Sequence, residues 1–92
     1  MAAFDDERIR WNDRDRAWEG EPEAVLSALR RKGYDDYRYE IVRTPGVGTP
    51  DGGFWHGRNA ETGKIASAVW VNSDDALSAR VFVVVGGVTI TP

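Results

Sequence analysis

Gly52-Gly53-Phe54-Trp55-His56-Gly57-Arg58-Asn59, Ala60-Glu61-Thr62-Gly63 and Lys64-Ile65-Ala66-Ser67-Ala68-Val69-Trp70-Val71 follow one another without a break. Their reading decides the fold. Two β-forming runs, at 54–59 and 64–72, flank a short turn in which Gly63 can supply the positive φ of a hairpin. In a strand, Trp55 and Gly57 point to one side, and His56 and Arg58 point to the other. The hairpin also carries the chain's single histidine.

Upstream, Thr44 to Gly53 reads as a loop, because its prolines and glycines are poor members of a ladder. Before it, Tyr37 to Arg43 alternates Tyr37, Tyr39 and Ile41 with Arg38, Glu40 and Val42, as a strand with one drier face does. Residues 22–32 have the marks of a helix. Pro22 suits the first position, and Glu21 and Glu23 complement the positive start. Val25, Leu26, Ala28 and Leu29 form an apolar stripe, Arg30, Arg31 and Lys32 face the negative end, and Gly33 permits the terminating left-handed turn. Residues 4–19 read two ways. Phe4, Trp11 and Trp18 recur every seven residues, as on one side of a helix stopped by Gly20. Arg8 to Trp11 instead alternates as a strand, and a turn at Asn12 to Asp15 would bring Trp18 back to Ile9. The helix or an irregular arm is the favoured reading.

Downstream, Ser73 to Ala79 is a polar connection and Arg80 to Val85 an apolar run suited to a central strand. Gly86-Gly87 turns or bulges the chain, and Val88 to Thr91 is a further short strand with the character of an edge. The expected fold is therefore α+β: one domain over 1–92, with an antiparallel sheet of four or five strands and the helix 22–32 packed on one face. Residues 1–20 form an arm or short helix beside a core of residues 21–92. If that segment leaves the second sheet face uncovered, the face is a binding surface or a dimer interface.

Composition sets the outer limits. The chain has 92 residues, 41% apolar and 29% charged, which is ordinary for a small soluble globular domain. No apolar run reaches the ~20 residues of a membrane helix. The start Met1-Ala2-Ala3-Phe4-Asp5-Asp6 is not a secretory signal, so the expected location is cytoplasmic. Cysteine is absent, which removes disulfides, thiolate zinc sites and a cysteine nucleophile. No cofactor or metal is expected. The net charge is −3 and the isoelectric point about 5.0, which disfavours nucleic acid as a partner. Charge is uneven: residues 1–23 hold eight acids against four arginines, whereas 24–43 are locally basic.

Chemistry-bearing residues are few. His56 and Arg58, side by side on one strand face, could hold a phosphate or carboxylate, with Glu61 or Glu40 as proton-transfer partners. Placed as solvated residues outside a core Trp55, they specify nothing. Tyr39-Glu40-Ile41-Val42-Arg43-Thr44-Pro45-Gly46 resembles a strand and turn of the small microbial guanyl-specific ribonucleases. That resemblance implies a general base near Glu40. The chain departs from the family's pattern in lacking the arginine after the turn and a histidine near the C-terminus, and the match ends with these few residues. The glycines at 46–53 lack the spacing of a phosphate loop, and Asp74-Asp75 falls short of a calcium loop.

The tryptophans are the remaining lead. Trp11, Trp18, Trp55 and Trp70 are many for so thin a core, and tryptophan and arginine dominate interface energetics. Trp11 and Trp18 also lie among Arg8, Arg10, Arg14 and Arg16, a setting for cation–π contacts. The expected function is that of a non-enzymatic protein-binding module, with Trp11, Trp18, Trp55, His56 and Arg58 as candidate binding residues. The Ala, Gly, Arg, Val and Asp bias suits an accessory or inhibitory protein of a phage or mobile element, in which the acidic segment 1–23 could imitate nucleic acid. The alternatives are a homo-oligomer joined through an edge strand or the uncovered sheet face, and a small hydrolase using His56, Arg58 and Glu40.

Overall fold

A computed structural model describes Phe4 and residues 6–43, 51–72 and 79–92. Along the chain run β1 (Ile9–Asn12), β2 (Ala17–Gly20), α1 (Pro22–Arg31), β3 (Tyr34–Val42), β4 (Gly52–Asn59), β5 (Ile65–Asn72), β6 (Ala79–Val85) and β7 (Val88–Thr89). The strands form one antiparallel sheet in the order β1-β2-β6-β5-β4-β3, with β7 paired to β6 beyond the end of β2. The class is α+β as expected, but the described residues hold seven strands rather than four or five.

The two extra strands, β1 and β2, have an identifiable cause. Residues 9–20 are a hairpin, not a helix or an arm. Asn12 stops any helix by turning its side chain on the backbone: its Oδ1 accepts a hydrogen bond from the Asp15 N–H at 3.0 Å. The seven-residue spacing of Trp11 and Trp18 is met across the hairpin, where they pair directly, and Ile9 faces Gly20 rather than Trp18. At the other end, Gly86 and Gly87 both have positive φ (58° and 82°). That geometry gives a tight hairpin turn rather than a bulge, and it pairs the expected last strand, shortened to Val88–Thr89, with β6.

The helix ends at Arg31, with Lys32 as C-cap and Gly33 at φ 99°. β3 starts at Tyr34, earlier than Tyr37, with a bulge between Asp36 and Arg38. Gly52 and Gly53 are in β4 and not in the preceding loop: they pair with Val42 and Ile41 on one side and with Val71 and Trp70 on the other. Their lack of side chains is used for packing. A Cβ on Gly53 would meet the Trp70 ring at 2.5 Å and the Glu40 carbonyl at 2.6 Å. A Cβ on Gly57 would likewise run into the indole of Trp55. Residues 44–50 and 73–78, including Asp74-Asp75, lie outside the described residues.

One face of the sheet makes the core. Ala66, Ala68, Val81 and Val83 in the middle strands leave room for α1, which lies across β3 to β6 and buries Val25, Leu26 and Leu29 against them. Trp18, Trp55 and Trp70 fill the flanks of this layer. Phe4 closes one end, edge-on to Trp18 at 4.8 Å. The buried indoles of Trp18 and Trp55 both have acceptors: Trp18 Nε1 donates to the Ile90 carbonyl at 2.9 Å, and Trp55 Nε1 to Asp36 Oδ1 at 2.7 Å. No described helix is long and apolar enough to cross a membrane.

Candidate functional site

The hydrogen-bonded register assigns every side chain to one of the two faces. Trp11, Trp18, Trp55 and Trp70 share the helix side. Trp18 and Trp55 are 2% and 0% exposed, so neither presents a surface to a partner. Trp11 is half-buried at the margin of the core, with the Arg16 guanidinium 5.2 Å from its ring centre and Asp13 accepting from its Nε1 at 3.3 Å. The surplus of tryptophan is therefore absorbed by packing. Three of the candidate binding residues belong to one side of the sheet; His56 and Arg58 belong to the other.

That second face carries most of the exposed large apolar residues; Tyr39, Ile41 and Val88 are the described ones on the helix side. Because the N-terminal segment joins the sheet edge, no described element lies over it. Across neighbouring strands, Phe54, Val69 and Phe82 form one row, and Val42 and Val71 lie in the next. Val69, Val71 and Phe82 are 47%, 55% and 41% exposed, in the middle of the sheet and not at its rim. Ile65 and Tyr37 continue the apolar surface towards the start of β5. At that end a shallow hollow of about 640 Å³ is lined by Asp35, Asp36, Tyr37, Arg58, Ala60 and Ile65.

The polar residues on the face are fixed to one another. His56 Nδ1 lies 2.7 Å from Ser67 Oγ, across the β4–β5 pair. Its ring is stacked on Tyr37 at 5.9 Å and tilted against Phe54 at 5.5 Å. Arg38 covers Phe54 at 5.1 Å and bonds Glu40 Oε2 at 3.2 Å. Arg80 bonds Asp15 Oδ2 at 2.6 Å. Arg58, exposed, stands opposite Asp35 on β3.

The arrangement does not bring His56, Arg58 and Glu40 together as a proton-transfer group: Glu40 is engaged by Arg38, and His56 by Ser67. The serine–histidine contact has a nucleophile and a base at bonding distance. Among the described residues it sits on an open surface without the converging donors that acyl transfer needs. Among the described residues, no three acidic or histidine side chains gather in a metal-holding group.

Several acids of the N-terminal segment are paired, within it or with arginines elsewhere in the chain. Asp6 pairs with Arg8, Asp13 with Arg16, Asp15 with Arg80 and Glu23 with Arg30. Sequence reasoning about single residues missed Val42, Val69, Val71 and Phe82. Their signal lay in β5, where both alternating sets are apolar (Ile65, Val69 and Val71 against Ala66, Ala68 and Trp70) while the described residues offer one helix to cover them. Comparison with protein-family models, with curated proteins and with solved structures finds no match.

Proposed function

We propose that the chain is a small protein-binding module whose working surface is the open face of its sheet. The observation that carries this reading is the apolar row of half-buried Phe54 and exposed Val69 and Phe82, with exposed Val42 and Val71 beside it, in the middle of the sheet. Contiguous apolar surface of this kind is costly in water and marks interaction sites. Tyr37, His56 and Arg38 frame it with side chains that combine area and polar contacts. His56 and Arg58 keep their place as binding residues here, at the rim, while Trp55 supports the strand from behind.

The engagement of Asp6, Asp13, Asp15 and Glu23 by arginines reduces the number of acids that an imitation of nucleic acid could use. A photoreactive side chain placed at Val69 or Phe82, in the cell that makes the protein, tests the reading. A discrete adduct is expected from these positions and none from Glu61, which is exposed in the β4–β5 turn away from the face. Equal labelling at all three positions, or none at Val69 and Phe82, would overturn it.

A further inference from the structure

We infer that the open face is occupied by a second copy of this chain, the two sheets packed face to face; the inference rests on the docking reading above. Charge comes first. The middle of the face is uncharged, and the ionised residues around it come as neighbours of opposite sign. Arg38 is bonded to Glu40 and Arg80 to Asp15, Asp35 faces Arg58, and Glu19 lies between Arg10 and Arg80. A foreign partner of strong charge finds no block of one sign to recognise, since acids and arginines alternate around the face. A second copy meets a neutral apolar surface like its own, as a two-fold contact requires. Its overall charge of −3 is then kept out of the contact.

The area is enough for a weak self-association. With strands about 4.8 Å apart and about 3.3 Å per residue, the face of β3 to β6 covers roughly 500 Å² in projection. Two copies bury about 1,000 Å² before side-chain relief is added, the size at which weak, reversible interfaces begin. Sheets packed in this way lie about 10 Å apart with an interdigitated apolar layer.

The edges, by contrast, discourage side-by-side growth. β3 carries a bulge between Asp36 and Arg38 and is dense in charge, β1 has four residues and β7 two. Such edges resist pairing with another chain. Stacking is the mode of association left to the apolar surface.

The test is sedimentation equilibrium of the full chain from about 1 to about 100 µM, the weak end of affinities for interfaces of this size. The expected mass approaches twice 10.2 kDa at the upper end. Val69→Lys places an unpaired charge at the centre of both faces and is expected to weaken association by at least about tenfold. Near-ultraviolet dichroism of the buried tryptophans, on the opposite face, checks that the variant is folded. Phe82→Lys repeats the test from β6 if it is not.

A wild-type monomer at every concentration overturns the second copy as occupant. So does a dimer indifferent to both lysines. In the monomer case, a soluble paramagnetic probe separates the two readings. Broadened Val69 and Val71 methyl signals leave the docking surface standing without the second copy, whereas protected methyls remove both.

Discussion

Trp55 shows how much one residue can organise. Its indole lies over Gly57, two positions along the same strand face, and its Nε1 reaches Asp36 on the neighbouring strand. Asp36 in turn receives Nε and a terminal nitrogen of Arg30 at 2.9 and 3.0 Å, tying the last turn of α1 to β3. The alternation of Trp55 inward and His56 outward was legible in the sequence, because side-chain direction in a strand has period two. The role of Gly53 and Gly57 was not: glycine in a sequence reads as loop, and only the tryptophan folded onto it reveals a packing need. Gly57→Ala is therefore expected to cost about 1–3 kcal/mol through overpacking against Trp55, read as a lower urea midpoint. Asp36 gives a pH signature. The Arg30 hydrogen bonds, opposed by partial burial and assisted by Trp55, hold its carboxyl below the ordinary value of 3.8. Arg8 takes Asp6 down to about 2. A folded-state value below the unfolded one gives stability that is present above pH 3.8 and lost as pH falls through the folded value. Acid titration of unfolding should thus show stability declining below about pH 4. Asp36→Asn should flatten part of that decline and cost about 1 kcal/mol at neutral pH, a figure kept small because the pair is solvent-screened.

At the scale of elements, α1 was the most legible piece, since Pro22, the Val25-Leu26-Leu29 stripe and Gly33 each have one reading. The β1–β2 hairpin was the least. A seven-residue interval between Trp11 and Trp18 fits two turns of helix and also fits two positions that face each other across a four-residue turn. Periodicity cannot separate these. The deciding terms are local, in the Asn12 side chain bonding the Asp15 N–H, and distant, in Trp18 donating to Ile90 on the far side of the sequence. The hairpin is consequently part of the core and not an appendage. Trp18→Ala should cost about 3–5 kcal/mol. Trp11→Ala, removing a half-exposed ring with an Arg16 contact, should cost about 1 kcal/mol. Paired denaturation curves of the two variants check the ratio. Equal and small losses would mean that the hairpin is not packed as described.

For the whole molecule, one helix covers one side of the sheet, and Val69, Val71 and Phe82 are left on the other. The sequence already held this imbalance, in a strand apolar on both alternating sets with too little helix to cover it. What it could not supply was the position of residues 9–20, which widen the sheet instead of closing its second face. An open apolar face links stability to concentration if a second copy covers it, because the folded chain then has a partner that the unfolded chain lacks. By mass action, association stabilises by RT ln(1 + [L]/Kd), and the unfolding midpoint rises with protein concentration. A tenfold excess over Kd is worth about 1.4 kcal/mol, and for a domain of this size about 1 kcal/mol moves the midpoint by roughly 4–8 °C. Thermal unfolding followed at about 5 and about 200 µM is therefore expected to show a midpoint several degrees higher in the concentrated sample. Val69→Lys should erase that difference while leaving the dilute midpoint nearly where it was, since its side chain points away from the tryptophan core. A wild-type midpoint independent of concentration would show that folding is not linked to self-association over this range.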